Sequence, residues 1–257
     1  MNFPPQLPAA VSAHPYPLLF ATVSGAHLYG FPSPDSDWDL RGVHVLPARE
    51  VLSLHPLQDT VKVDRMEDGV ELDLVTHDAR KFIELMLRPN GYVLEQLHSP
   101  LVVHTSPEHA ELVLLGRQCV TRYHAHHYLG FSAGQWKLLH KPLECGELPE
   151  LKPLLYTFRT LLTGIHLMRT GEVEANLVTL NAESGLPFLD DLIVRKQGGR
   201  EHEPVGHALD IYEADFRRLT TALEAAHEAT HLPPKVAPEV RAALSELLVR
   251  LRLGDQA

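Results

Sequence analysis

Near Pro107 the hydrophobic pattern of this 257-residue chain changes period, and that change limits the chain to two architectures in series. Upstream, apolar residues come in short runs. LLFATVS (Leu18–Ser24), bounded by Pro17 and Gly25, predicts a buried strand, and DLRGVHVLP (Asp39–Pro47) a second. VKVD, near Val61, and VELDLV (Val70–Val75) alternate at period two, the pattern of half-buried strands in a mixed sheet. Thr76 is then expected to cap a helix reaching Arg88, with Phe82, Ile83, Leu85 and Met86 as its apolar stripe. PNG stops it, YVLEQLHS predicts a short helix, and LVVH follows. Downstream, 3.6-residue periodicity predicts helices over 108–139, 153–169, 208–230 and 238–253, with breaks near Lys141–Pro149 and Gly185–Pro187. The expected fold class is therefore α+β: a mixed sheet with helices over 18–105, then a mostly helical domain over 106–257. Residues 1–17 read as a Pro-rich leader, without the basic and apolar regions of a signal peptide.

The stretch SGAHLYGFPSPDSDWDLR (Ser24–Arg41) carries the densest chemistry. Asp35, Asp37 and Asp39 match positions 1, 3 and 5 of a calcium loop. That reading fails at position 6, which is Leu40 where Gly is needed, and at position 12, which is Leu46 where Glu is needed. A plain turn accounts for Pro34-Asp35-Ser36-Asp37, because Asp and Ser side chains satisfy their own backbone. It leaves Asp39 unexplained. Asp37 and Asp39, two apart where a strand begins, are expected on one face, and neighbouring carboxylates repel unless a cation lies between them. Oxygen donors without His or Cys select Mg²⁺ or Mn²⁺. Gly25 and Gly30 would let backbone N–H groups approach a polyphosphate. A third carboxylate, Asp73, lies between Leu72 and Leu74; if those leucines face the core, Asp73 faces solvent or a site.

Composition narrows the partners. An apolar share of 44% and a charged share of 22% are ordinary for a globular protein. A net charge of −10 argues against coating nucleic acid non-specifically, though a local basic groove is compatible with it. No apolar run has the length of a membrane span. Two cysteines, Cys119 and Cys145, are too few for a disulfide framework and suit a reducing cytoplasm.

The order strand, Gly25, Tyr29-Gly30-Phe31, Ser36-Asp37-Trp38-Asp39, strand, then hydrophobic-Asp73-hydrophobic resembles the DNA-polymerase-β-type nucleotidyltransferase superfamily. GAHLYGFPSPDSDWDLRGVHV and LDLVTHDARKFIELMLRPNGYVLEQLHSP resemble its RNA-repair-associated family (RlaP, YcgL-like), and KPLLYTFRTLLTGIHLMRTGEV resembles it more weakly. The resemblance implies a nucleotidyltransferase that moves a nucleoside monophosphate from an NTP, with ATP the expected donor, to a hydroxyl acceptor, and releases pyrophosphate. Asp37 and Asp39 would hold two Mg²⁺ or Mn²⁺ ions and Asp73 would join them at the catalytic one. An RNA end is the implied acceptor; the alternatives are a protein or small molecule modified at the same site, or a silent nucleotide- or RNA-binding regulator. The family has Gly-Ser then Arg at the phosphate turn, whereas this chain has Gly25-Ala26-His27. Ser24, one place earlier, and His27 are the candidate replacements, His27 either as the missing cation or as a residue facing water.

In the helical part, Tyr156 and Arg159 lie three apart and are the expected nucleotide contacts, with burial of Arg159 against an acid the competing reading. Lys81 and Lys137 are weaker candidates. His124 and His127 are one turn apart but lack a third ligand at helical spacing, so a solvated His-rich face is expected. Trp38, between the aspartates, is expected in core packing. Oligomeric state has no signal in the sequence.

Overall fold

The computed structural model describes residues 3–206 and 209–254. By internal contacts the chain divides into two compact units: Met1–Leu28, Asp37–Val120 and Lys235–Ala257 in the first, Tyr29–Ser36 and Thr121–Pro234 in the second.

The first unit is built on a five-stranded mixed sheet of order β3-β4-β2-β1-β5. Its strands are β1 (Leu18–Val23), β2 (Trp38–His44), β3 (Thr60–Glu67), β4 (Val70–Asp78) and β5 (Val102–Thr105). β2 and β4 run parallel, while the β1/β2, β1/β5 and β3/β4 pairs are antiparallel. Period-two alternation decides what each face meets. Leu40, Leu72 and Leu74 pack with Ala21 and Val23 beneath α1 (Gln6–Ser12), whose Leu7 and Ala10 are buried in the same cluster. The segment read as a Pro-rich leader therefore supplies a helix to the core; Met1 and Asn2 lie outside the described residues. Opposite, Phe20 of β1 meets Phe82 of α4 (Ala79–Met86) edge to face and stacks on His109 of α6 (Pro107–Arg117).

Helix α4 begins later than expected. Thr76 is fully buried in β4, its Oγ1 2.9 Å from both His44 Nδ1 and His14 Nε2, and the cap is Asp78, which accepts from Arg80 N at 3.0 Å. Asp78 also receives two 2.6 Å bonds from Arg252, near the end of α12 (Pro238–Leu253). With Asp78 1% exposed, this paired charge ties the last helix to the sheet unit.

The second unit contains α7 (His124–Glu144), α8 (Leu151–Thr170), α9 (Leu177–Ser184), α10 (Pro187–Gly198) and α11 (Asp210–Ala229). The single helix expected over 108–139 is two, α6 and α7, separated where Thr121 N donates to His124 Nδ1 and starts α7. Burial holds the His124 imidazole down at about 4, so it is a neutral turn-forming residue. The break expected near Lys141–Pro149 falls at 145–150, because α7 continues past Leu139 and through Pro142 to Glu144. Ala208, the expected start of the next helix, lies outside the described residues.

Candidate active site

The site is built from strand register. In the parallel β2/β4 pair Asp39 stands opposite Asp73, flanked by Trp38 opposite Leu72 and Leu40 opposite Leu74. Because the leucines turn into the α1-covered core, both aspartates turn to the other face. Arg41, two residues after Asp39, shares that face. Its Nη2 donates to Asp39 Oδ1 and, at 2.7 Å, to Asp73 Oδ2, so one cationic nitrogen bridges the two carboxylates. Nη1 donates to the backbone carbonyls of Asp73 (2.6 Å) and Leu40 (3.1 Å), and Nε lies 3.4 Å from the Tyr92 hydroxyl on α5 (Gly91–Leu97). Burial opposes the Arg41 charge, but Tyr92, Asp39 and Asp73 outweigh it, leaving the guanidinium more basic than usual.

The pair is partly open. Side-chain exposure is 38% at Asp73, 18% at Asp39 and 10% at Arg41. Asp37 is half-buried just ahead of β2, because the strand starts at Trp38; it is not a strand neighbour of Asp39 as the spacing suggested. No group of three or more His, Cys, Asp or Glu among the described residues could hold a metal ion. The chemistry of Asp39 and Asp73 nevertheless suits a hard divalent cation, since two carboxylates already converge on a single positive centre.

Gly25 is explained by the same pair. It opens α2 (Gly25–Tyr29) at φ +62°, and a Cβ there would land on the Asp39 carboxylate. Ser24, fully buried, donates its N–H to Asp39 O at 2.8 Å, and its Oγ has no hydrogen-bond partner among the described residues. A buried orphan hydroxyl beside Gly25 is a group with bonding capacity to spare. Ala26 is 2% exposed, so its side chain serves packing. The half-buried His27 ring stacks on Trp38, centroids 3.7 Å apart, and Trp38 in turn meets Phe3 edge to face.

The remaining candidates belong to the second unit. Gly30, at φ +87°, leaves room that Asn176 fills: a Cβ would lie 2.6 Å from its Oδ1. Tyr156 packs its ring against Tyr29 and Phe31. Arg159 is 3% exposed, as the burial reading expected, and places its guanidinium 3.8 Å from the Tyr29 ring centroid.

Two clusters escaped the sequence reading. The turn around Asp35 is held by Lys196, whose Nζ reaches Ser33 Oγ (2.9 Å), Glu201 Oε2 (2.8 Å) and the carbonyls of Arg200 and Glu201. Glu201 also pairs with Lys152, accepts from Ser36 Oγ at 2.8 Å and donates its N–H to Asp35. Burial works against the Glu201 charge, but Lys152, Lys196 and Ser36 hold its carboxyl down at about 2. The second is Arg41 itself. The spacing rule that grouped the aspartates also places Arg41 on their face, so a local signal was present in Asp39-Leu40-Arg41.

The chain matches the family described as "RlaP: RNA repair pathway DNA polymerase beta family" over residues 5–250. Uncharacterized protein MJ0002 of Methanocaldococcus jannaschii is 29% identical over 160 residues, 62% of this chain and 63% of its own length. The match thus spans less than two thirds of that relative. Uncharacterized protein YcgL of Bacillus subtilis is 25% identical over 219 residues, 82% of each chain. A nucleotidyltransferase-like protein from Exiguobacterium sibiricum aligns with TM-score 0.32 and 10% identity, over 86% of this chain and 72% of its own.

Proposed function

Because the chain belongs to the RNA-repair-pathway DNA polymerase β family, we propose that it is a metal-dependent nucleotidyltransferase. It moves a nucleoside monophosphate from an NTP, with ATP the first donor to test, to a hydroxyl acceptor. The observation that carries this reading is the Asp39–Asp73 register pair, two carboxylates side by side around one cation position. Asp39 and Asp73 would hold Mg²⁺ or Mn²⁺, joined by Asp37, and residues 18–105 form the proposed catalytic domain. Divalent ions at such carboxylates lower the pKa of an attacking hydroxyl and offset charge on the leaving pyrophosphate.

The chain's own groups do the rest. Ser24 Oγ, the N–H groups from Gly25 onward, His27 and Gly30 are proposed to receive the triphosphate; Tyr156 and Arg159 are the helical unit's proposed contribution to nucleotide binding. The catalytic work is positioning and charge compensation, as is general for transfer at phosphorus. An RNA end is the proposed acceptor, following the family's description, and the net charge of −10 fits a small RNA footprint better than an extended one. A second reading, a nucleotide-binding regulator without turnover, draws on the buried Ala26, which lacks the hydroxyl of the Gly-Ser turn in the pattern the chain resembles.

The test is incubation with α-labelled NTP and Mg²⁺ or Mn²⁺ in the presence of RNA, protein and small-molecule acceptors. Label on one acceptor, lost in Asp37→Ala, is the expected result. Label retained in that variant overturns the metal assignment, and nucleotide binding of equal strength with and without metal favours the regulator. Among the described residues no helix is long and apolar enough to cross a membrane; the cytoplasm is the proposed location.

A further inference from the structure

Arg41 sits where the proposed chemistry needs a metal. Nη2 contacts Asp39 Oδ1 and Asp73 Oδ2, the carboxylate oxygens that converge between β2 and β4. An ion between the same carboxylates would have to share those oxygens or take them over. A guanidinium cannot lose its proton to make way, because its pKa lies far above neutrality. Its remaining bonds are of another kind. Nη1 is held by the backbone carbonyls of Asp73 and Leu40, which are not carboxylate ligands, and Nε faces Tyr92.

We propose that Arg41 is a built-in counter-cation of the Asp39–Asp73 pair, which occupies the metal position in nucleotide-free protein and makes metal loading depend on the nucleotide. This inference rests on the metal-dependent reading above and names a regulation of that same site. Without nucleotide, Arg41 cancels one of the two negative charges of the pair and repels an incoming dication. With the triphosphate present, added negative charge makes the divalent ion the better competitor. Only Nη2 then lets go, and the Nη1 bonds keep the guanidinium close enough to return. Access is from the Asp73 side, where the carboxylate is 38% exposed against 18% for Asp39. A purely structural Arg41 would behave in the opposite way: removing it would let the carboxylates splay and would weaken metal binding.

The experiment is Mn²⁺ titration, followed by the loss of the free-ion electron paramagnetic resonance signal, of the full chain with and without a non-hydrolysable NTP analogue. Arg41→Gln, which removes the charge, is expected to bind Mn²⁺ about tenfold tighter than wild type without nucleotide. That gap should narrow with the analogue, and Arg41→Lys, which keeps the charge, should stay near wild type. Asp73→Asn locates the ion: binding that survives it lies elsewhere and overturns the proposal. Should Arg41→Gln be unstable from carboxylate repulsion, thermal melts serve instead, and Mn²⁺ should raise its melting temperature more than that of wild type. Equal or weaker Mn²⁺ binding by Arg41→Gln, with wild type binding Mn²⁺ in the presence of analogue, overturns the Arg41 inference alone. No Mn²⁺ binding by any form, with or without analogue, overturns the metal-dependent reading and this inference with it.

Discussion

Lys196 and Arg41 are both buried cations set among carboxylates, yet their surroundings differ in kind. The Lys196 side chain is wholly inaccessible and every acceptor around it is spoken for: Glu201, Ser33 and two carbonyls. Its role is exhausted by holding the Ser33–Ser36 turn. The Arg41 cluster brings two carboxylates to one nitrogen, and one of them, Asp73, remains 38% exposed. A closed ion cluster stabilises through completeness, whereas one with accessible acceptor capacity can exchange its cation. Asp35 and Asp39 are four residues apart, but only the second belongs to the partly open carboxylate pair, while Asp35 accepts from Glu201 N.

Substitutions should separate the clusters, and the largest effect is expected on activity. Asp39→Asn or Asp73→Asn should reduce nucleotidyl transfer on the order of a thousandfold, since metal-held charge compensation supplies several kcal/mol. Asp35→Asn should leave transfer within about threefold, corresponding to less than about 1 kcal/mol; a comparable loss there would break the comparison.

Next in size is stability. Lys196→Met removes one of the two cations on Glu201, leaving Lys152 and Ser36 to a carboxylate whose side chain is 17% exposed, at an expected cost of about 1.5–3 kcal/mol in urea denaturation. Arg41→Gln should cost less, because water can reach Asp73; equal losses would mean that both clusters are structural.

Gly25→Ala is expected to cost about 1–3 kcal/mol and to depress transfer, from positive-φ strain plus collision with the Asp39 carboxylate. Gly69→Ala is the control: its φ is +78° but nothing lies within 4 Å of the added Cβ, so strain alone acts. If the two variants lose equal stability and activity, the Gly25–Asp39 contact is unimportant.

The effect confined to the narrowest range of conditions is on pH dependence. Glu201 is held at about 2 against an ordinary 4.5, so between those values the unfolded chain takes up a proton that the folded one refuses. Its contribution is complete above about pH 4.5 and is lost as pH falls toward 2. Glu201→Gln should flatten the denaturation midpoint against pH across that window; an unchanged slope would remove Glu201 as the cause.

The degree to which these features were legible follows the distance over which each is decided. Helix α12 coincides with its predicted 238–253 span, because 3.6-residue periodicity and Pro238 at the first turn are local. The helix after β4 was started too early, at Thr76 where the cap is Asp78: both residue types can cap, and β4 continues because it pairs with β2 and β3. The shared face expected of Asp37 and Asp39 needs strand geometry at both, and β2 begins between them, at Trp38. The Asp78–Arg252 clamp joins residues 174 apart, beyond the reach of any local pattern.

By itself, then, the sequence determined the alternation that turns Leu72 and Leu74 one way and Asp73 the other, the glycine at Gly25, and membership of the family matched over residues 5–250. These are matters of backbone geometry and residue chemistry within a few positions. Tertiary structure alone decided that β2 lies parallel to β4 in the register that sets Asp39 against Asp73, and that Arg41 closes the bridge between them. Register is settled by the simultaneous burial of side chains from distant segments beneath α1, a cooperative condition that no short stretch of chain can express.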